Sequence, residues 1–498
     1  MQSLYATFRQ SWRFEDPFLR TPEGLAWSYG DLDSITAELA GRTQALGLRP
    51  GDRLAAVLER SPWLICLYLA CARAGLVFAP LNPRLTASEL APLLADIDPA
   101  LAVCDPLHAK ALAPLLPPAV PLRTLDRNSE GSLRDGRQES FQADVALSPG
   151  HPAAIVYTSG TTGRPKGAVL AHDLFVGKAR ALGSVLRYER QDCLLHAMPL
   201  YHAHGLFMTL HCVLNAGAGI LLMPGFEASR IVETLPQATV FSGVPTMYKR
   251  MAQCAGLQSA SAHMRLFVSG SAALPADVFT EFEARSGGHR IVECWGMSET
   301  MTNTANPPGD CRLASAGKPL PGVGLRITDE QGLEQPAGQH GTVEVRFGLP
   351  FSGYWRRPAS EQPECREGWT VTGDLGYLDE DGYLRIVGRK GDMVISGGFN
   401  VYPREVEIAL EELPEVARAA VFGVPHADLG EAVVAAVECA PGVPAQPDAI
   451  LSRLRTRLVG YKLPKALFLE AELPTTELGK VQRAVLRERY RAHFDQAS

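Results

Sequence analysis

The stretch Tyr157 to Gly167 reads YTSGTTGRPKG and sets two hydroxyl pairs, Thr158-Ser159 and Thr161-Thr162, around Gly160 before running through Gly163 to Lys166. It grows out of AAIVY, Ala153 to Tyr157, a short apolar run ending in an aromatic, which predicts a strand. Small residues leaving a strand can turn successive backbone N–H groups toward one point. The hydroxyls and Lys166 add donors and positive charge, so the ligand such a loop suits is a chain of phosphates. It is not the standard phosphate loop, which needs four residues between its first glycine and a Gly-Lys-Ser/Thr ending.

Strand and helix patterns alternate on both sides of this loop. Ahead of it, RLAAVLE and VFAPLNP predict strands, while the stretch after Tyr29, SPWLICLYLACARAG and LTASELAPLLADIDP predict helices, with Ser61 as cap and Pro62 in the first turn of the second. The Pro- and Ser-rich segment from Leu115 to Asp144 reads as a surface connection. Behind the loop, CLLHAMP, GILLMP, ATVFSGVP and MRLFVSGSAAL are strand-then-turn units up to Trp295. Such alternation predicts an α/β fold with parallel layers. From Gly317 to Leu384 short strands with Gly-Asp and Asp-Gly turns predict a β-rich subdomain. GRKGD, Gly388 to Asp392, breaks the pattern, and the remaining residues mix strands and helices again. The expected domains are therefore 1–390, large and layered, and 391–498, small and α+β.

Composition bounds the function. At 498 residues, 46% hydrophobic and 20% charged, the chain reads as a soluble globular protein with sizeable cores. A net charge of −6 argues against nucleic acid as a partner. Ten cysteines without a C-x-x-C pair predict neither zinc ribbon nor disulfide framework, and favour a reducing, cytoplasmic setting. The first residues, MQSLYATFRQSWRFEDPF, hold no apolar core for a signal peptide. The most apolar stretch, Trp63 to Ala72, is about half a membrane span, so a buried helix is expected and no span.

Three further patterns suit nucleotide chemistry. In Trp295-Gly296-Met297-Ser298-Glu299-Thr300 a carboxylate follows an aromatic and a glycine. Beside a phosphate cradle Glu299 would be a natural magnesium ligand, and Trp295 could lie against an adenine ring. Asp374, at a turn in TVTGDLGYLD, could accept both hydroxyls of a ribose. Arg389 in GRKGD offers a fixed fork of donors to ribose or phosphate oxygens. Lys480, a lone lysine after a glycine near the C-terminus, reads on its own as a solvated surface residue. His202 and His204, with His211 and Cys212 nearby, invite a metal reading but lack a matching second pair, which favours a pocket or ring-packing role.

Taken in order, these pieces resemble the adenylate-forming superfamily of acyl-CoA synthetases, peptide-synthetase adenylation domains and firefly luciferase. YTSGTTGRPKG resembles its phosphate loop, WGMSET its aromatic-Gly-x-Thr-Glu motif with Ser298 for Thr, and TGD at Asp374 its ribose motif. GRKGD with SGGFNVYPREVE resembles the hinge and following loop, and PTTELGK the catalytic-lysine motif. The resemblance covers nearly the entire chain. It implies attack of a substrate carboxylate on the α-phosphorus of Mg·ATP, with Lys480 and magnesium stabilising the charge that develops, and Thr158 and Glu299 as metal ligands. The C-terminal domain is then expected to move about Gly391, removing Lys480 and bringing in the Gly397-Gly398 loop, before a thiol attacks the acyl-adenylate. Glycine's wide choice of φ and ψ suits a hinge.

The sub-family resemblance is to malonyl-CoA synthetases, carried by PLYHAHGLF, VPTMYKR, MRLFVSGSAALP, GMSETMTNTANP and GGFNVYPREVE. It implies an acid pocket of His202, Arg250, Ser269, Gly270, Ser271, Cys294 and Met301, with His202 gating between the two steps. In that group two arginines hold the distal malonate carboxylate. Arg250 matches one, and Cys294 stands where the other is expected. The implied substrate is a small carboxylic acid, malonate-like or short-chain, with coenzyme A as acceptor. A stand-alone enzyme loading a carrier-protein thiol is the alternative. A non-catalytic ATP-binding regulator would have discarded Lys480, which this chain keeps.

Overall fold

The computed structural model describes residues 2–494 apart from 136–140, 142–143, 159–164, 349–350, 398, 441 and 477–478. The chain divides into two compact units, 1–324 with 346–370, and 325–345 with 371–498.

The first unit holds two largely parallel sheets. One has six strands in the order Leu122–Thr124, Leu101–Cys104, Arg53–Val57, Val77–Pro80, Pro152–Thr158 and Lys166–Ala171. All its pairs are parallel except the last, where Thr158 faces Lys166 in an antiparallel register. The phosphate-loop stretch thus connects two neighbouring strands. The helix His172–Leu186 begins only after the second of them.

The other sheet has nine strands, with Ile291–Met297, Leu266–Ser269, Val240–Gly243, Cys193–His196, Gly219–Leu222 and Pro17–Arg20 running parallel. Met301–Ala305 turns back antiparallel on Ile291–Met297. The expected α/β alternation is therefore present on both sides of the loop.

Local chemistry explains the helices. Ser61 caps Pro62–Ala74 by accepting from Leu64 N at 3.2 Å, and Gly75 ends it in the left-handed region at φ 69°. Every residue of that helix is buried, which accounts for its apolar run without a membrane. Burying each of Leu64, Ile65, Leu67 and Leu69 contributes about 2 kcal/mol. Among the described residues no helix is long and apolar enough to cross a membrane. Thr86 and Glu89 form a capping box on Ala87–Ile97. The strand Leu122–Thr124 lies inside the segment expected to be a surface connection.

The β-rich stretch folds as expected into a five-stranded sheet built on Val323–Thr328, Gly341–Phe347, Trp369–Leu378 and Cys365–Arg366, with Leu384–Arg389 paired to Trp369–Leu378. In the C-terminal half, Val416–His426 and Gly430–Cys439 form a long hairpin, extended by Val394–Ser396 and Ala466–Glu470. Its side chains alternate with period two. Val421, Val433, Ala435 and Val437 pack on one face with Val406, Leu410, Ile450 and Leu454. Ala420, Phe422, Val434 and Ala436 pack on the other with Leu486.

Candidate active site

The two ends of the phosphate-loop stretch are linked through one residue, Asp96. Asp96 Oδ2 accepts from the Tyr157 hydroxyl at 2.6 Å, its backbone carbonyl accepts from Trp355 Nε1 at 3.0 Å, and Arg357 pairs with its Oδ1 at 3.2 Å. Val169 N donates to Gly353 O at 3.1 Å and Trp355 N to Gly167 O at 2.7 Å, so the segment 353–355 lies along the returning strand. Lys166 reaches into this neighbourhood, its Nζ 5.3 Å from the Tyr354 ring centroid. Ser159, Gly160, Thr161, Thr162 and Gly163 lie outside the described residues.

Glu299 sits in the turn between Ile291–Met297 and Met301–Ala305 and is 7% exposed. Its Oε1 accepts from the Tyr354 hydroxyl at 2.7 Å. No cation among the described residues pairs with it, although burying a bare carboxylate is costly. A divalent cation with oxygen preference fits such a group, and magnesium usually takes only one or two protein carboxylates.

The turn is tight. A Cβ on Gly296 would stand 2.2 Å from Met301 O, and Met301 itself adopts a φ of 57°. Such strain in a non-glycine residue is characteristic of functional turns. Trp295, Met297 and Ser298 are half-buried around it.

The predicted acid-pocket residues divide by burial. His202 is half-buried and packs on Tyr201, ring centroids 4.6 Å apart. Ser269, Gly270 and Cys294 are buried, whereas Ser271 is exposed. The Ser269 hydroxyl is buried without a partner among the described residues. Burial raises the Cys294 thiol well above its usual pKa, so it carries no charge. Arg250 is exposed in the last turn of Pro245–Ala252.

His204, two residues beyond His202, has both ring nitrogens engaged, Nε2 with Ser242 Oγ at 2.8 Å and Nδ1 with Ser271 Oγ at 3.0 Å. His211 Nε2 meets the Tyr68 hydroxyl at 2.8 Å. These partners occupy both ring nitrogens of His204 and one of His211, and no metal-ligating group of three occurs among the described residues.

In the second unit, register brings two predicted residues together. Asp374 faces Arg389 across the hairpin, and Arg389 Nε lies 2.8 Å from Asp374 Oδ1. Asp374 is 4% exposed, its N–H on Thr372 Oγ1 at 3.1 Å. Lys480 joins them electrostatically. Solvent reaches it, but surrounding protein and then Arg389 lower its pKa, opposed by Asp374 and Asp392. Its backbone carbonyl accepts from Thr476 N at 2.8 Å. Gly391 lies in the exposed turn after Leu384–Arg389, where Asp392 and Met393 N–H groups both donate to Arg389 O at 3.0 Å. Gly397 adopts a φ of 58°, and Gly398 lies outside the described residues.

Residues 10–355 match the family of AMP-binding enzymes, and residues 405–480 match the AMP-binding enzyme C-terminal domain. The chain belongs to the AMP-binding enzyme family. This adenylate-forming enzyme is 35% identical over 475 residues to a feruloyl-CoA synthase from an Amycolatopsis species, covering 94% of each chain. It is 31% identical to malonate–CoA ligase from Arabidopsis thaliana, over 98% of this chain and 88% of the relative. Among solved structures, ATP-bound MatB from Rhodopseudomonas palustris aligns with a TM-score of 0.96 at 40% identity, over 99% of this chain and all of that one, 100%. The enzyme is an AMP-forming acid–CoA ligase of layered α/β architecture with a small C-terminal domain.

Sequence reasoning missed Tyr354, which joins Glu299 to the loop's returning strand, and, although it singled out His204, it did not foresee that this ring ties Ser242 to Ser271. The signal for Tyr354 was slight: two aromatics after a glycine in SGYW.

Proposed function

We propose that this ligase activates a small carboxylic acid, malonate-like or short-chain, as its acyl-adenylate and then transfers the acyl group to coenzyme A. The observation that carries the reading is the buried Glu299 carboxylate, without a cationic partner among the described residues and held by Tyr354 beside the phosphate-loop strand. The whole-length likeness to ATP-bound MatB supports ATP as the nucleotide.

In the first step an oxygen of the acid attacks the α-phosphorus, the bond to the β-phosphate oxygen breaks and pyrophosphate leaves. The loop from Thr158 to Lys166 would hold the β- and γ-phosphates, Trp295 to Met297 the adenine, and Asp374 with Arg389 the ribose. Lys480 would stabilise the charge gathering on the phosphoryl oxygens. Magnesium, held by Glu299 and Thr158, would supply Lewis-acid neutralisation of the phosphates. The acid would lie among His202, Ser269, Gly270, Ser271, Cys294 and Met301, with Arg250 at its edge and Ser298 beside the reacting group.

In the second step the thiol of coenzyme A attacks the acyl carbon and AMP departs. Residues 391–498 would turn about Gly391 as a mobile domain, withdrawing Lys480 and presenting Gly397 and Gly398, while His202 gates the acyl group. Replacing Lys480 with Ala should abolish acid-dependent pyrophosphate release yet largely spare thioester formation from supplied acyl-adenylate. Equal loss of both half-reactions would refute the two-state assignment.

A further inference from the structure

Helix His172–Leu186 places a lysine where no ion pair explains it. Lys178 is 4% exposed, its Nζ donates to Asn303 Oδ1 at 2.8 Å, and it lies 4.3 Å from the Phe347 ring centroid. No carboxylate among the described residues pairs with it. An ammonium buried against a neutral amide and a ring is costly unless a counter-anion arrives. Burial draws its pKa down to about 7, so the amine exchanges its proton near neutrality. The surrounding titratable groups do not supply an anion. His211 and His172 are buried, each with a pKa lowered to about 3 chiefly by burial, and Tyr68 is held protonated.

The lysine is tied to the active-site turn. Asn303, fully buried at 0%, donates from Nδ2 to Thr300 Oγ1 at 2.8 Å, so a two-bond relay runs from Lys178 to the neighbour of Glu299. Beside it lies a narrow cavity of about 10 Å³, lined by Lys178, Met301, Thr302, Phe175, Phe207 and His211 among others. That volume admits roughly one water-sized group and no aromatic ring without rearrangement. Cys294, which stands opposite Ala305 two residues from Asn303, is uncharged, and Arg250 points to solvent. Among the described residues, Lys178 is thus a cation buried beside this turn.

Building on the acid–CoA ligase reading, we propose that Lys178 is a specificity-determining residue that receives the distal carboxylate of a short dicarboxylic acid. The acid's second charge replaces the missing partner of the ammonium, and Asn303 holds the amine in place through Thr300. Met301, unbranched and flexible, yields the space for the carboxylate head.

The test compares wild type with Lys178→Met in ATP-dependent pyrophosphate release. The substrates are malonate, succinate and glutarate, set against propionate, butyrate and valerate. Wild type should favour one dicarboxylate by at least about tenfold in kcat/KM, the worth of one hydrogen bond to a charged group. In Lys178→Met that preference ratio should fall at least about tenfold, through KM. Calorimetry in buffers of different ionisation enthalpy should show wild type taking up protons on binding the dicarboxylate at pH 7, and the variant none. Methionine nearly keeps the length without the amine but leaves the buried Asn303 Oδ1 without its donor, so the ratio is read below the variant's melting temperature; if it does not fold, Lys178→Gln reads the same ratio. An unchanged ratio, or a wild type that activates only monocarboxylates, overturns the proposal and leaves the ligase reading intact. Pyrophosphate release with no acid of either class would instead remove the ligase reading itself.

Discussion

At the level of single residues, the buried polar groups and the partners they find govern both activity and stability. The Tyr354 hydroxyl is the described donor to Glu299, and a hydrogen bond to a charged group is worth about 1.5–3 kcal/mol. Tyr354→Phe should therefore lower adenylation about ten- to a hundredfold and raise the magnesium concentration needed for half-maximal rate. Steady-state kinetics over a magnesium titration checks this, and an unaltered magnesium requirement would contradict it. The buried histidines make a separate statement. His172, His196 and His211 have pKa values lowered to about 3 and His204 to about 4, in each case chiefly by burial. The folded state keeps them neutral while the unfolded chain protonates them below about 6.5. Stability is therefore full above that value and is lost as pH falls from 6.5 toward 3, by up to about 1.4 kcal/mol per group per pH unit. Urea unfolding at pH 7, 5.5 and 4.5 should show the midpoint falling, and a flat profile would contradict the assignment.

At the scale of elements, the turn between Ile291–Met297 and Met301–Ala305 is the piece with least tolerance. Gly296→Ala would drive a Cβ to 2.2 Å from Met301 O, so the strand pair must shift, at a cost of about 1–3 kcal/mol. Glu299 and Trp295 would move with it. Activity should fall further than the melting temperature alone accounts for, as circular dichroism and kinetics on the same sample would show. The elements also show what was legible beforehand. Ser61 with Pro62 announced the helix Pro62–Ala74, because caps are local chemistry, and Ala87–Ile97 was expected from the pattern LTASELAPLLADIDP, its Thr86–Glu89 capping box emerging only in the structure. Leu122–Thr124 was hidden because three residues inside a Pro- and Ser-rich segment carry no periodicity. The antiparallel return of Lys166–Ala171 was hidden because its pairing with Pro152–Thr158 is a matter of register, not composition. Glu299, Asp374 and Arg389 could be named from motifs. Tyr354, 55 residues beyond Glu299, and Asn303 beneath Lys178 emerge only from tertiary packing.

At the scale of the whole molecule, the chain has two compact units, each holding part of the predicted machinery. The loop flanks, Glu299 and the acid pocket belong to the first, and Asp374, Arg389 and Lys480 to the second. In the proposed two-step reaction Lys480 would assist adenylation and then give way to the thiol by a turn about Gly391, which lies inside the second unit, beyond Asp374 and Arg389. The central claim is that a small acid is activated by pyrophosphate release and then passed to coenzyme A. The most direct measurement follows pyrophosphate, AMP and thioester together over a panel of short mono- and dicarboxylic acids, with and without coenzyme A. The account predicts acid-dependent pyrophosphate release in both conditions, with stoichiometric AMP and thioester only when coenzyme A is present. Release of orthophosphate with ADP, or no acid in the panel raising pyrophosphate above background, would contradict it.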